Sequence, residues 1–281
     1  VTAGPVTLAW GAATDVGLRR SLNEDSHLAA PPLFLVADGM GGHQAGEVAS
    51  ATVIEEFARL VGRPSLTVDD VQSSVAEARR RVDALPEGGG AGAGTTLAGV
   101  VVADIDGDGY WLAVNLGDSR TYRLSEGVLE QVSVDHSVVQ ELVDAGELDA
   151  AAAAVDSRRN VITRALGAGS DSEPDYWLLP AEEGDRLLIC SDGLPTELDD
   201  ARIDQILRSE QHPQTAADRL VREAVAAGGR DNVTVLVVDA LDVRARERRD
   251  ATATIPVAEF GEDGEEDTLP RVRTRDEGER S

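Results

Sequence analysis

The chain has 281 residues, 42% of them hydrophobic, enough for one large domain or two smaller ones and too many for wholesale disorder. The formal net charge is −26, and all 26 basic residues are Arg. That balance excludes a protein that coats nucleic acid or docks on an anionic membrane through a basic patch, because either task needs cations to meet phosphates.

No apolar run approaches the ~18 residues of a membrane span, and the first residues do not read as a signal peptide. The single Cys190 removes an intrachain disulfide and a multi-cysteine zinc site. The expectation is a cytoplasmic monomer. Residues 242–281 carry 8 Arg against 12 acidic residues, so −22 of the net charge lies in residues 1–241. That part either repels anions or has its carboxylates neutralised by bound cations.

In chain order, residues 10–14 form a weak strand candidate and 33–37 (LFLVA) a strong one, short, apolar and bounded by Pro and Asp. Residues 46–61 place Ala49, Val53, Phe57 and Leu60 on one helical face. A second stripe, Val68, Val71, Val75, Ala78, Val82 and Leu85, follows a 3,4,3,4,3 spacing behind a Thr67/Asp70 capping box. Residues 86–94 are a Gly-rich loop without the Lys of a nucleotide-binding loop. Strands follow at 97–103 and 111–116, with a weaker one at 119–124, then at 187–190 and 233–238. Helices are expected at 201–209 and at 214–227, the latter closing at Gly228-Gly229.

Strands and helices in segregated blocks imply an α+β fold. We expect a sandwich of two antiparallel sheets flanked by helices on both outer faces. It fills residues 1–241, and a disordered charged tail fills 242–281.

Three segments share one layout, in which a buried strand delivers an acid to its end: Asp38-Gly39 after LFLVA, Asp192-Gly193 after LLICS, and Asp118 after WLAVNLG. A fourth acid, Asp231, stands immediately before the strand at 233–238. Carboxylates on rigid strand tips can converge on one point, and Gly beside Asp lets the backbone carbonyl join them. Oxygen ligands of this kind suit Mg²⁺ or Mn²⁺ rather than zinc. Asp-Gly is also the commonest hairpin turn, but Asp38-Gly39 leads into a helix rather than a return strand.

These residues spell a family. The chain resembles the metal-dependent protein phosphatases of the 2C type over nearly all of residues 6–240. The resemblance is carried by RRSLNEDS (19–26), LVADGMGGHQAGEVAS (35–50), GTTL (94–97), NLGDSRTYR (115–123), DHS (135–137), NVITRALG (160–167), CSDGL (190–194) and GRDNVTVLVV (229–238).

The resemblance implies a protein Ser/Thr phosphatase using two Mn²⁺ or Mg²⁺ ions and a third, weaker one. Asp38 would bridge two ions with the Gly39 carbonyl on one of them, and Asp192 and Asp231 would hold the other. Glu24 and Asp25 would hold metal-bound waters. Arg20 would clamp the substrate phosphate with its two-pronged donors. Asp118 would serve the third site, with the Asn160 region beside it, and residues 135–148 would lie in or next to a mobile flap. A water shared by the ions, its pKa lowered from about 15.7 toward 7, would attack phosphorus in line. The acidity of the domain then becomes a requirement of the metal site.

Some branches of this family have His directly after Asp-Gly, whereas here Met40 follows; the proton for the leaving oxygen would come from His43 or from a metal-bound water. A cysteine phosphatase is excluded because the residue six beyond Cys190 is Thr196 rather than Arg. A non-catalytic relative would lack Asp38, Asp192 or Asp231, and all are present. The intact motifs favour a broad partner of Ser/Thr kinases over a phosphatase of one small regulator.

Asp104-Ile105-Asp106-Gly107-Asp108-Gly109 copies half of a calcium loop, but position twelve is Asn115 inside an expected strand, so a turn is expected. In the tail, Thr252 and Thr254 each precede an aliphatic residue by three positions, a spacing like that accepted by forkhead-associated domains after phosphothreonine. A solvated linker accounts for the same residues.

Overall fold

The structure is a computed structural model that describes residues 4–41, 45–85, 92–149, 152–153, 156–244 and 255–256. Its strands are β1 (Val6–Asp15), β2 (Asp25–Ala30), β3 (Leu33–Met40), β4 (Gly94–Thr95), β5 (Leu97–Ile105), β6 (Asp108–Leu116) and β7 (Arg120–Ser125). They continue as β8 (Val128–Gln131), β9 (Leu166–Gly167), β10 (Asp175–Pro180), β11 (Arg186–Cys190), β12 (Val233–Val243) and β13 (Ile255–Pro256). The helices are α1 (Ala45–Ala58), α2 (Val68–Asp83), α3 (Val138–Asp144), α4 (Gly193–Glu197), α5 (Asp200–Ser209) and α6 (Pro213–Ala227).

One sheet has five strands in the order β1-β12-β11-β7-β8. The other has eight, ordered β13-β10-β6-β5-β3-β4-β9 with β2 on the remaining side of β3. The pairings are antiparallel.

Three apolar layers hold the stack together, and β3 shows why its sequence is apolar throughout. Leu33 and Leu35 face one way, into a core with Val53, Phe57 and Val75 of α1 and α2. Phe34 and Val36 face the other way, meeting Ile189 and Leu236 of the opposite sheet. A strand covered on both faces has no polar side to show. The smaller sheet repeats the logic, with Leu188, Val235 and Val237 under Ile203 of α5 and Leu220 of α6. The order of layers is helices, sheet, sheet, helices, as expected.

Local signals behave as read. Thr67 Oγ1 accepts a hydrogen bond from the Asp70 N–H and the Asp70 carboxylate accepts one from the Thr67 N–H, closing the capping box of α2. The 104–109 segment is the β5–β6 hairpin, with Asp106 and Gly107 at φ +55 and +94 and the Gly107 N–H on Asp104 Oδ1 at 2.8 Å. The left-handed pair is what a two-residue turn demands, and it accounts for the acidic residues there.

Elements outside the sequence reading are β2, β8, β10, α3, α4 and the two-residue strands. β12 runs on to Val243, and Ile255–Pro256 pairs with Trp177 and Leu178 of β10. Thr252, Thr254 and Val257 lie outside the described residues.

Candidate metal centre

The ends of β3, β6 and β11 and the starts of β2, β7 and β12 open at one end of the sandwich. Antiparallel pairing forces this: Asp25 stands opposite Asp38, Leu97 opposite Leu116, and Cys190 opposite both Arg120 and Val235. Asp38 leaves β3 on the same side as Phe34 and Val36, toward the seam between the sheets. Asp118 sits between β6 and β7, Asp192 just past β11 and Asp231 just before β12. Thus four separate stretches of chain bring acids to the mouth of one seam, and Asp25 adds a fifth.

Hydroxyl groups fix these acids. The Asp38 N–H donates to Thr96 Oγ1 at 2.9 Å, and the Asp38 carbonyl accepts from the Thr96 N–H at 2.9 Å. Thr96 Oγ1 in turn lies 2.8 Å from Ser119 Oγ, tying Asp38 to the loop that carries Asp118. Ser191 Oγ donates to Asp25 Oδ2 at 2.8 Å. The other carboxylate oxygen of Asp25 is buried with no hydrogen-bond partner among the described residues. An orphaned carboxylate oxygen in a buried site is costly unless it ligates a cation or water.

Asn232 organises the entrance. Its Oδ1 accepts the Glu24 N–H at 2.8 Å, and its Nδ2 donates to the carbonyls of Val16 at 3.0 Å and Leu22 at 2.9 Å. This one amide shapes the 16–24 loop that carries Arg20 and Glu24. Gly39 is required by crowding: a Cβ there would lie 2.2 Å from the Gly46 carbonyl oxygen and 2.5 Å from that of Glu24. Backbone atoms on both sides leave no room to yield.

The electrostatics follow from geometry. Burial first, then the charges of Asp25, Asp192, Asp118 and Asp231, push the Asp38 carboxyl well above the usual carboxylate range. Burial likewise raises Asp25, Asp118, Asp192 and Glu24. The side chain of Asp38 beside Asp192 lowers Asp192 against that trend. Arg20 is half-exposed at the mouth, its Nη2 2.7 Å from Asp231 Oδ2, and that bond raises the guanidinium pKa.

Among the described residues Arg20 at the mouth and Arg120, itself paired with Asp135, still leave the cluster with an excess of negative charge. Its donors are all oxygen, the set hard divalent ions take. Among the described residues no three of these side chains already close on a common point as a finished coordination sphere. Like-charged carboxylates repel at such distances unless a cation or a shared proton stands between them.

Of the residues singled out from the sequence, Arg20, Glu24, Asp25, Asp38, Gly39, Asp118, Asp192 and Asp231 meet at this mouth. His43 lies outside the described residues, and Asn160 is in an exposed turn. Cys190 is fully buried and its thiol is pushed up to about 12 by burial, as suits an inert core residue. Sequence reasoning missed the roles of Thr96, Ser191 and Asn232; Ser191 and Asn232 stand beside an acid in the chain, whereas Thr96 has no acid next to it.

A family model described as protein phosphatase 2C matches residues 19–227. The chain is 38% identical over 275 residues to the serine/threonine protein phosphatase PstP of Mycobacterium tuberculosis, covering 96% of this chain and 51% of that protein. It thus spans about half the length of that relative. It is 34% identical over 239 residues to the serine/threonine phosphatase stp of Listeria innocua, covering 80% of this chain and 93% of that protein. Among solved structures, the catalytic domain of PstP in complex with 2 manganese ions superposes with a TM-score of 0.76 at 38% identity, covering 84% of this chain and 99% of that one.

Proposed function

The chain belongs to the protein phosphatase 2C family, and from that premise we propose that it is a metal-dependent protein serine/threonine phosphatase. The observation that carries the reading is the set of buried, mutually repelling aspartates gathered at the seam of the two sheets. The solved PstP catalytic domain holds two manganese ions. In this chain Asp38, the Gly39 carbonyl, Asp192 and Asp231 would hold two Mn²⁺ or Mg²⁺ ions. Glu24 and Asp25 act through bound waters, and Asp118 serves a third, weaker site.

Bound divalent ions supply an activated water and neutralise the phosphate's charge. The protein's own work is placement. Asp25 and Asp38 are fixed by the β2–β3 pairing, Thr96 holds the Asp38 backbone through its N–H and carbonyl, and Ser191 holds one carboxylate oxygen of Asp25. Arg20, half-exposed, exchanges its bond to Asp231 for the phosphate oxygens of an arriving phosphoserine or phosphothreonine. His43 is the candidate to protonate the leaving oxygen. The substrates are phosphorylated proteins, Ser/Thr kinases among them. The catalytic unit, monomeric and cytoplasmic, extends past the expected 241 to the end of β12 at Val243, and the charged tail beyond it offers Thr252 or Thr254 to a forkhead-associated partner.

A phosphopeptide assay titrated with Mn²⁺, with a chelated control, tests this. Turnover is expected only with metal, and Asp38→Ala or Asp192→Ala is expected to abolish it by losing metal. A wild-type rate in Asp38→Ala refutes the assignment.

A further inference from the structure

His136 is no member of the carboxylate cluster, yet its side chain is 5% exposed and both ring nitrogens are engaged. The Gly117 N–H donates to Nδ1 at 3.1 Å, so Nδ1 carries a lone pair and the proton sits on Nε2. That N–H donates to Asp175 Oδ2 at 3.1 Å, and Arg164 Nη1 holds the other Asp175 oxygen at 3.2 Å. The backbone of His136 is used as well: its N–H donates to the Gly117 carbonyl at 2.9 Å, and its carbonyl accepts the Thr163 N–H at 2.8 Å. One residue therefore joins β10, the two ends of the 137–163 segment that contains α3, and the loop before β7.

The Gly117 contact leads directly to the acids. Gly117 has φ +109 and is wedged against Thr96, where a Cβ would lie 2.5 Å from Thr96 Cγ2. The next residue is Asp118, and the one after it, Ser119, is bonded to Thr96 Oγ1, which also holds the Asp38 N–H. Among the described residues the Nδ1 bond is the hydrogen bond that joins the His136 side chain to that loop. We propose that His136 is a positioning residue: through Nδ1 it sets the Gly117–Asp118 backbone, and it thereby couples the 137–163 segment to the cation site at Asp118. This rests on the reading that the cluster binds divalent ions.

Two substitutions separate the two nitrogens. His136→Asn places an amide oxygen near the position of Nδ1 and keeps an acceptor for Gly117. His136→Gln reaches toward Asp175 and leaves the Gly117 N–H without its acceptor. Mn²⁺ binding to the full chain is measured by calorimetry, with Asp118→Asn identifying the class of site that Asp118 serves.

That class is expected to weaken roughly 10–100-fold in His136→Gln, as for other residues that orient metal ligands, and to be largely retained in His136→Asn. The sites lost in Asp38→Ala are expected to persist in both. Wild-type affinity in a folded His136→Gln, or loss of the class in a folded His136→Asn, overturns the proposal. If the Gln variant does not fold, the Asn variant decides alone. Absence of Mn²⁺ binding in the wild type overturns the phosphatase reading together with this one, whereas unchanged binding in His136→Gln overturns only this one.

Discussion

Asp25 and Asp38 are direct cross-strand partners in the β2–β3 ladder, so two carboxylates leave the same face of one sheet side by side. Like charges opposite one another destabilise a sheet, and here burial removes the water that would screen them. The fold holds this arrangement against its own electrostatics.

Neutralising one partner should therefore stabilise the metal-free protein while ruining its metal site. Asp38→Asn is expected to raise the melting temperature in chelator by roughly 2–4 °C, the shift that 1 kcal/mol makes in a domain of this size. The stabilisation that Mn²⁺ gives the wild type is expected to vanish. Thermal melts with and without Mn²⁺ measure both, and an unchanged Mn²⁺ response counts against Asp38 as a ligand.

The same repulsion predicts a pH dependence. Burial raises Asp192 to about 6, Asp25 to about 7 and Asp118 to about 8 in the protein without bound ions. Unfolded, each returns to about 3.9, so between those values the folded state holds more protons than the unfolded one. Stability of the chelated protein must then fall as pH rises from about 4 toward 8. Mn²⁺ binding near pH 7 must release protons, seen as a calorimetric enthalpy that changes with the buffer's ionisation heat. Proton-neutral binding at that pH would contradict it.

Arg20 should act on binding more than on turnover. Arg20→Ala is expected to raise KM by roughly tenfold or more, in line with the 1.5–3 kcal/mol of hydrogen bonds to charged groups. The effect on kcat should be smaller, since Asp231 remains in place. Arg20→Lys should not restore KM, because an ammonium cannot present two parallel donors. Steady-state kinetics on one phosphopeptide decide it.

Asn232 offers a test of the entrance. Asn232→Asp sets a carboxylate against the carbonyls of Val16 and Leu22, which now receive its amide protons. The expected cost is about 1–3 kcal/mol in denaturant unfolding, with a raised KM as the loop carrying Arg20 loosens. A variant with unchanged stability would show that the amide does not hold the loop.

Much of this protein is legible from short stretches of chain. The apolar run at 33–37, the stripe behind Thr67 and the Asp106-Gly107 turn each satisfy their own backbone or bury their own face, so their patterns carry the information. The acids were visible for the same reason: each ends or precedes a readable strand. β2 (DSHLAA) and β10 (DYWLLP) were not, because both are largely half-buried and mix polar with apolar residues without a clean period.

Only the tertiary structure decided which polar residues serve the acids. Asn232 meets Glu24 across 208 positions, Ser191 meets Asp25 across 166, and Thr96 meets Asp38 across 58. A hydroxyl or amide has no pattern of its own that announces such a partner. The charge state of the aspartates is likewise a property of their assembly: each is an ordinary acid alone, and becomes reluctant to ionise when folding buries it beside the others.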